Sequence, residues 1–145
     1  MDTHSNVGHM LGGKATFDPA PKTSHDWHAW LEDGLPLNAL ESFKQITGLA
    51  DSPIAKLLGI SDKTLQRARQ SRTRLDAVTS DRLYRAARLV ALANDVLESQ
   101  VRAIDWLGRV QIGLGGAIPF ALMTTEVGAQ QVEQLLQRIE HGVYS

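Results

Sequence analysis

Cysteine is absent from this chain of 145 residues. A disulfide framework, a thiol nucleophile and every zinc site built on Cys are therefore excluded. Long apolar runs are missing too. The longest, Leu89 to Ala93, is far too short to cross a bilayer. Met1 is followed by Asp2 and His4, not by the basic and then apolar residues of a secretory signal. The expectation is a cytosolic (cytoplasmic) protein of a reducing compartment, with no membrane partner. No segment alternates apolar and polar positions with β-branched residues, which argues against strands. No repeat recurs at a period of about 20–50 residues. The motifs His-Glu-x-x-His and Gly-x-Ser-x-Gly are absent, and no acid pair sits in an apolar frame. His25 and His28 stand three apart and could share a metal, but no third ligand is near them in sequence. Neither catalytic residues nor a metal or cofactor is expected, so the chain does not read as an enzyme.

What is present is helix punctuation. An apolar fraction of 43% is normal for a globular protein. The length suits about one ordinary domain, or two very small ones. Residues 1–23 carry Gly8, Gly12, Gly13, Pro19 and Pro21 without an apolar period, which predicts a flexible tail. Ser24 is the expected cap of a helix through Trp27, Trp30 and Leu31 that stops at Gly34. Pro36 opens a second helix, with Leu37, Leu40, Phe43 and Ile46 on one side and Gly48 as its stop. Residues 24–50 thus form N-terminal helices whose tryptophans serve either a dimer contact or the core. Ser52-Pro53 starts a helix ending near Gly59, and Ser61 caps the next, through about Arg72. Thr79 or Ser80 is the expected cap of a long helix from about Asp81 to Glu98. A helix with Val101, Ile104, Trp106 and Leu107 follows, then a glycine-rich loop to Pro119, then a last helix from about Thr125 to Glu140. The fold class is all-α, with a first functional domain over 51–98 and a second over 99–145.

The small net charge of −1 hides a segregation. Residues 1–55 carry three bases against seven acids, residues 56–88 nine against three, and residues 89–145 three against six. A basic centre of net +6 points to a polyanion partner, or to a merely solvated helix face. The spacing inside it is informative. Residues 51–72 read as helix, three-residue turn, helix. Ala55 supplies the small residue where the helices cross, and Gly59 tolerates the positive φ that the turn needs. Ile54, Leu58, Ile60, Leu65 and Ala68 close a small core. At 100° per residue, Ser61, Leu65, Ala68 and Arg72 point one way, and Lys63, Gln66, Arg67, Gln70 and Arg74 the other. The outward face holds donors and no acid. Asp62, in the first turn, suits the helix dipole but would repel phosphate, and either accepts from a cytosine amine or only caps. Lys and Arg read guanine, and Gln reads adenine, in a major groove. Ser61 and Thr64 lie at the helix start, which faces DNA in a helix-turn-helix. Arg69, Arg72, Arg74 and Arg82 suit phosphates, which position a protein without reading sequence. Candidate partners are therefore operator DNA and, because one such motif binds weakly, a second copy in a homodimer.

Beyond residue 100 four strings stand in order: Ala103-Ile-Asp-Trp106-Leu107; Leu114-Gly115-Gly116-Ala-Ile-Pro119; Thr124-Thr125-Glu126-Val-Gly128; and Val132 to Gly142 ending in His141-Gly142. On their residues alone, Trp106 and Leu107 are core anchors, Pro119 starts a short helix, and Gly128 permits a close approach. The glycine loop lacks the strand and the Lys-Ser/Thr of a phosphate loop. Together the strings resemble the toxin-binding domain of Xre/MbcA/ParS-type antitoxins, a pattern of Trp-Leu, Gly-Gly loop ending in Pro, Thr-Glu-x-Gly turn and helix with a His-Gly stop. The resemblance covers about 40 residues, or about 90 with the helix-turn-helix, which matches the family's usual layout; the first 50 residues match nothing. Ile118 departs from the polar or basic residue often found before that proline. The resemblance implies a bacterial antitoxin paired with a RES-type, NAD-consuming toxin, whose active-site cleft the C-terminal domain covers while the helix-turn-helix represses the shared operon. It implies toxin-binding roles for Trp106, Gly115, Gly116, Pro119, Glu126, Arg138, His141, Tyr144 and Ser145, with the last two entering the cleft. The alternative is a stand-alone dimeric helix-turn-helix regulator, separable by whether a RES-like reading frame lies beside the gene.

Overall fold

The computed structural model describes residues 3–142. Regular structure among them is helical, apart from one isolated antiparallel bridge between Gln111 and Ala117. The order is α1 (Thr3–Met10), α2 (Ser24–Asp33), α3 (Leu37–Thr47), α4 (Asp51–Leu58), α5 (Asp62–Ser71), α6 (Ala77–Leu97), α7 (Gln100–Leu107), α8 (Pro119–Leu122) and α9 (Glu126–Glu140). Two compact units divide between Ala87 and Arg88, inside α6.

In the first unit the expected flexible tail is instead a helix and a 3-10 turn, Gly13–Ala15. Val7, Met10 and Leu11 recur at i, i+3 and i+4, and all three are buried with Phe17. Three glycines around that short stripe obscured it. The Phe17 ring stands edge-on to Trp27 and Trp30, with centroids 5.2 and 5.0 Å away. Trp27 also packs on Tyr84 at 4.9 Å. Trp27 is buried and belongs to this core, while Trp30 is half-buried at its edge. Such aromatic pairs contribute about 0.5–1.5 kcal/mol beyond burial.

The caps refine the expected boundaries. Thr23, not Ser24, caps α2, its hydroxyl accepting from Asp26 N at 3.0 Å. Ala50, not Ser52, precedes α4. At α6 the Asp76 carboxylate accepts from Thr79 N at 2.7 Å, which holds its carboxyl below the usual range. Thr79 and Ser80, the expected caps, are buried. Ser80 Oγ accepts from Leu35 N at 2.8 Å and so ties α6 to the α2–α3 turn. A neighbouring hydroxyl loses the cap to a carboxylate because the charged acceptor makes the stronger bond to a helix N-terminus.

The second unit runs from Arg88 and contains the end of α6 with α7 to α9. Leu89, Val90, Ala93, Ala103, Leu107, Met123, Val132 and Leu136 form its core. Arg88 grips Glu133 of α9 with two bonds of 2.8 and 3.0 Å. The second unit thus begins within α6, whereas the expected second functional domain begins at residue 99.

Candidate functional site

The helix-turn-helix is built on its turn. Three residues, Gly59, Ile60 and Ser61, join α4 to α5. Gly59 adopts φ 69°, its N–H reaches Lys56 O at 3.2 Å, and Ile60 N reaches Ala55 O at 3.0 Å. This pair of bonds is a Schellman closure, which satisfies the last carbonyls of α4. Ser61 then caps α5, its Oγ accepting from Thr64 N at 3.0 Å and donating to Thr64 Oγ1 at 2.9 Å. Ile54, Ala55, Leu58 and Leu65 are buried, and Ile60 and Ala68 half-buried, as the motif requires.

Lys63, Gln66, Arg67 and Gln70 share the exposed face of α5. Four donors there suit base edges and phosphates, with exposed Asp62 in the first turn beside them. Other expected residues lie off this face. α5 ends at Ser71, with Arg72 beyond it in the left-handed region at φ 52°. Arg74 is therefore off the helical face. Its guanidinium sits 5.7 Å over the Trp30 ring and donates to Gly34 O at 2.9 Å. Arg82 donates to Leu58 O at 3.1 Å, against the turn.

Arg69 faces inward. It donates to Glu41 Oε1 at 2.7 Å and also to Asp51, with its side chain only 21% exposed. Asp51 further accepts from Lys44, and from Gln66 Nε2 at 3.0 Å. Hydrogen bonds from Arg69, then Lys44, hold the Asp51 carboxyl well below the usual carboxylate range. The same carboxylate raises Arg69, which stays charged at any working pH. Asp51 thus ties α3, α4 and α5 together through one carboxylate. Asp51, Glu41 and Lys44 escaped sequence reading because this cluster is assembled from three separate helices. The only local signal was an acid in the first turn of α4, which reads equally as a dipole partner.

In the second unit, Trp106 is half-buried, and its carbonyl accepts from Gln111 Nε2 at 2.9 Å. Gly115 and Gly116 hold φ values of 66° and 84°. Pro119 is buried at the first turn of α8. Thr125 Oγ1 caps α9, accepting from Gly128 N at 3.0 Å. A Cβ on Gly128 would lie 1.8 Å from Leu122 O, so the close approach is to the end of α8. Glu126, Arg138 and His141 are exposed on α9 and at its end. Tyr144 and Ser145 lie outside the described residues. No group of three His, Cys, Asp or Glu side chains poised to hold a metal occurs among the described residues. Nor does any helix among them have the length and apolarity to cross a membrane.

Comparison with known proteins gives both units a family. Residues 26–88 match the antitoxin Xre-like helix-turn-helix domain. Residues 92–142 match the antitoxin Xre/MbcA/ParS C-terminal toxin-binding domain. The chain is 31% identical over 113 residues to Antitoxin Xre of Yersinia enterocolitica, covering 77% of this chain and 76% of that protein. It is 29% identical over 119 residues to Antitoxin Xre of Photorhabdus laumondii, covering 81% and 80%. A shorter match to Antitoxin Xre of Pseudomonas putida reaches 36% over 63 residues, 43% of this chain and 40% of that protein. With its helix-turn-helix and its toxin-binding domain, the chain belongs to the Xre/MbcA/ParS-type antitoxins.

Proposed function

We propose that this antitoxin neutralises a RES-type, NAD-consuming toxin by covering its active site with the C-terminal domain, and represses its own operon as a cytoplasmic homodimer. The observation that carries the reading is the pairing, in one chain, of a donor face on α5, made by Lys63, Gln66, Arg67 and Gln70, with a toxin-binding domain. On α5, Lys63, Gln66, Arg67 and Gln70 contact DNA, with Thr64 and Ser61 at the helix start. Arg72 adds a phosphate contact. Arg69 holds α5 in place from behind, and Arg74 and Arg82 brace Trp30 and the turn. Gln66 must exchange its bond to Asp51 for one to a base, which costs little at an exposed site.

On the toxin side, α9 offers Glu126, Arg138 and His141, while Trp106, Gly115, Gly116 and Pro119 shape the surface before it. Tyr144 and Ser145 are assigned to the cleft on the resemblance alone. The test is co-expression with the neighbouring gene product, tagged on that partner. A complex that restores growth, with a footprint on the shared promoter, supports the reading. Retained promoter binding without a complex refutes it in favour of a stand-alone regulator.

A further inference from the structure

We infer that the loop over residues 110–118 is a rigid apolar knob that inserts into a hollow on the toxin. This deepens, and rests on, the toxin-binding reading of the C-terminal domain. Three exposed large apolar side chains fall within this short loop: Ile112 is 92% exposed, Val110 61% and Ile118 38%. The bridge from Gln111 to Ala117 brings Val110 and Ile118, which flank it, to facing positions. Ile112 stands at the tip.

The loop is built, not slack. Leu114 N and Gly116 N both donate to Gln111 O, at 3.1 and 3.0 Å. Gly115 N donates to Ile112 O at 3.0 Å and Ala117 N to Leu114 O at 3.3 Å. Gln111 Nε2 fastens the base of the loop to Trp106 O. A loop whose own amides are bonded loses little freedom on docking, and that preorganisation favours affinity. Gly115 and Gly116 hold left-handed conformations with nothing within 4 Å of a would-be Cβ. They add no side chain of their own beside Ile112, which leaves room for a partner to close around it.

An isoleucine with nine-tenths of its surface in water adds nothing to the fold that carries it. Exposed apolar side chains gathered on a rigid element mark an interface. The occupant is the toxin, because the knob lies inside residues 92–142, the match to the toxin-binding domain. The toxin face that fits is an apolar pocket without charge at its floor, since a desolvated charge there would go unpaired.

The test uses the full chain and the product of the adjacent reading frame. Ile112→Glu and, separately, Val110→Ser are compared with wild type by calorimetric titration, thermal melting, operator binding and light scattering. Ile112→Glu is expected to weaken toxin binding by about thirtyfold or more, as expected of an interface hot spot. Val110→Ser should weaken it severalfold. Melting and operator binding should not move in either. Wild-type affinity for the toxin in both variants overturns the inference and leaves the antitoxin reading standing. A variant that keeps toxin affinity but loses its dimer assigns the knob to a second copy and overturns it equally. A wild-type chain that binds no toxin overturns the reading beneath it as well.

Discussion

Gly128 lies in the first turn of α9 with an ordinary helical backbone, so two effects of Gly128→Ala oppose each other. Helix propensity alone favours alanine by about 1 kcal/mol. The added Cβ, however, would stand 1.8 Å from Leu122 O, 2.7 Å from its carbonyl carbon and 3.1 Å from its Cα. Comfortable C···O approach begins near about 3.3 Å. The chain must therefore open the α8–α9 contact by about 1.5 Å, and a backbone carbonyl has no rotamer through which to yield. Overpacking of this kind costs about 3 kcal/mol at the upper end of its range. The net is a destabilisation of about 2 kcal/mol, which for a chain of this size lowers Tm by about 8 °C. The assay is a thermal melt beside Gly108→Ala as control. Gly108 has φ −95° and a would-be Cβ 3.5 Å from Ile104 O, an ordinary contact. That control should be neutral or gain about 0.5 kcal/mol. A Gly128→Ala protein that melts at or above wild type refutes the argument, because propensity would then have won.

Arg67→Ala and Lys63→Ala should each leave stability within about 0.5 kcal/mol of wild type. Both should lower operator affinity, and the salt slope of log K should shrink by about one for each phosphate the variant no longer neutralises; filter binding across a salt series reads both. Arg69→Met should instead lower Tm, because it leaves Asp51 and Glu41 without their guanidinium, and a truncated partly buried pair costs about 1–3 kcal/mol. Depressed carboxyls at Asp51, through Arg69 and Lys44, and at Glu133, through Arg88, make the fold acid-sensitive. The sign follows from a folded pKa below the unfolded one: the stabilisation is complete above the unfolded value of about 4 and fades progressively as pH falls below it. Tm against pH should drop more gently in Asp51→Asn, which lacks that contribution already at neutral pH. Removing residues 143–145 should release toxicity in a growth assay with operator binding intact, and a truncated chain that still protects cells removes Tyr144 and Ser145 from the mechanism.

The helix-turn-helix was legible because every signal it needs is local. A left-handed glycine, a serine cap and apolar residues at helical spacing all act within a turn or two of themselves. The structure keeps the three-residue turn, the Ser61 cap and the outward placement of Lys63, Gln66, Arg67 and Gln70. The order of the C-terminal helices was legible for the same reason, including a last helix starting near Thr125, which the structure makes its cap. The N-terminal helix was not. So short a helix, with a glycine inside it, has little helix-forming strength of its own, and burial of Val7, Met10 and Leu11 is what α1 relies on.

Composition and local spacing therefore determined the all-α class, the motif and its charged face. Tertiary structure decided which charges stay exposed. Arg69 and Arg67 are two residues apart and chemically identical, yet one faces Asp51 and Glu41 and the other faces solvent. The helical projection separates them by about 160° but cannot say which acids wait on the far side. Those acids, Glu41 and Asp51, sit 28 and 18 residues away in sequence. Nor does spacing reveal that Gly128 abuts the carbonyl of Leu122, or that Trp27 closes a core on Phe17 and Tyr84. Local signals report the free energy of a turn, whereas these contacts exist only once separate helices have been brought together.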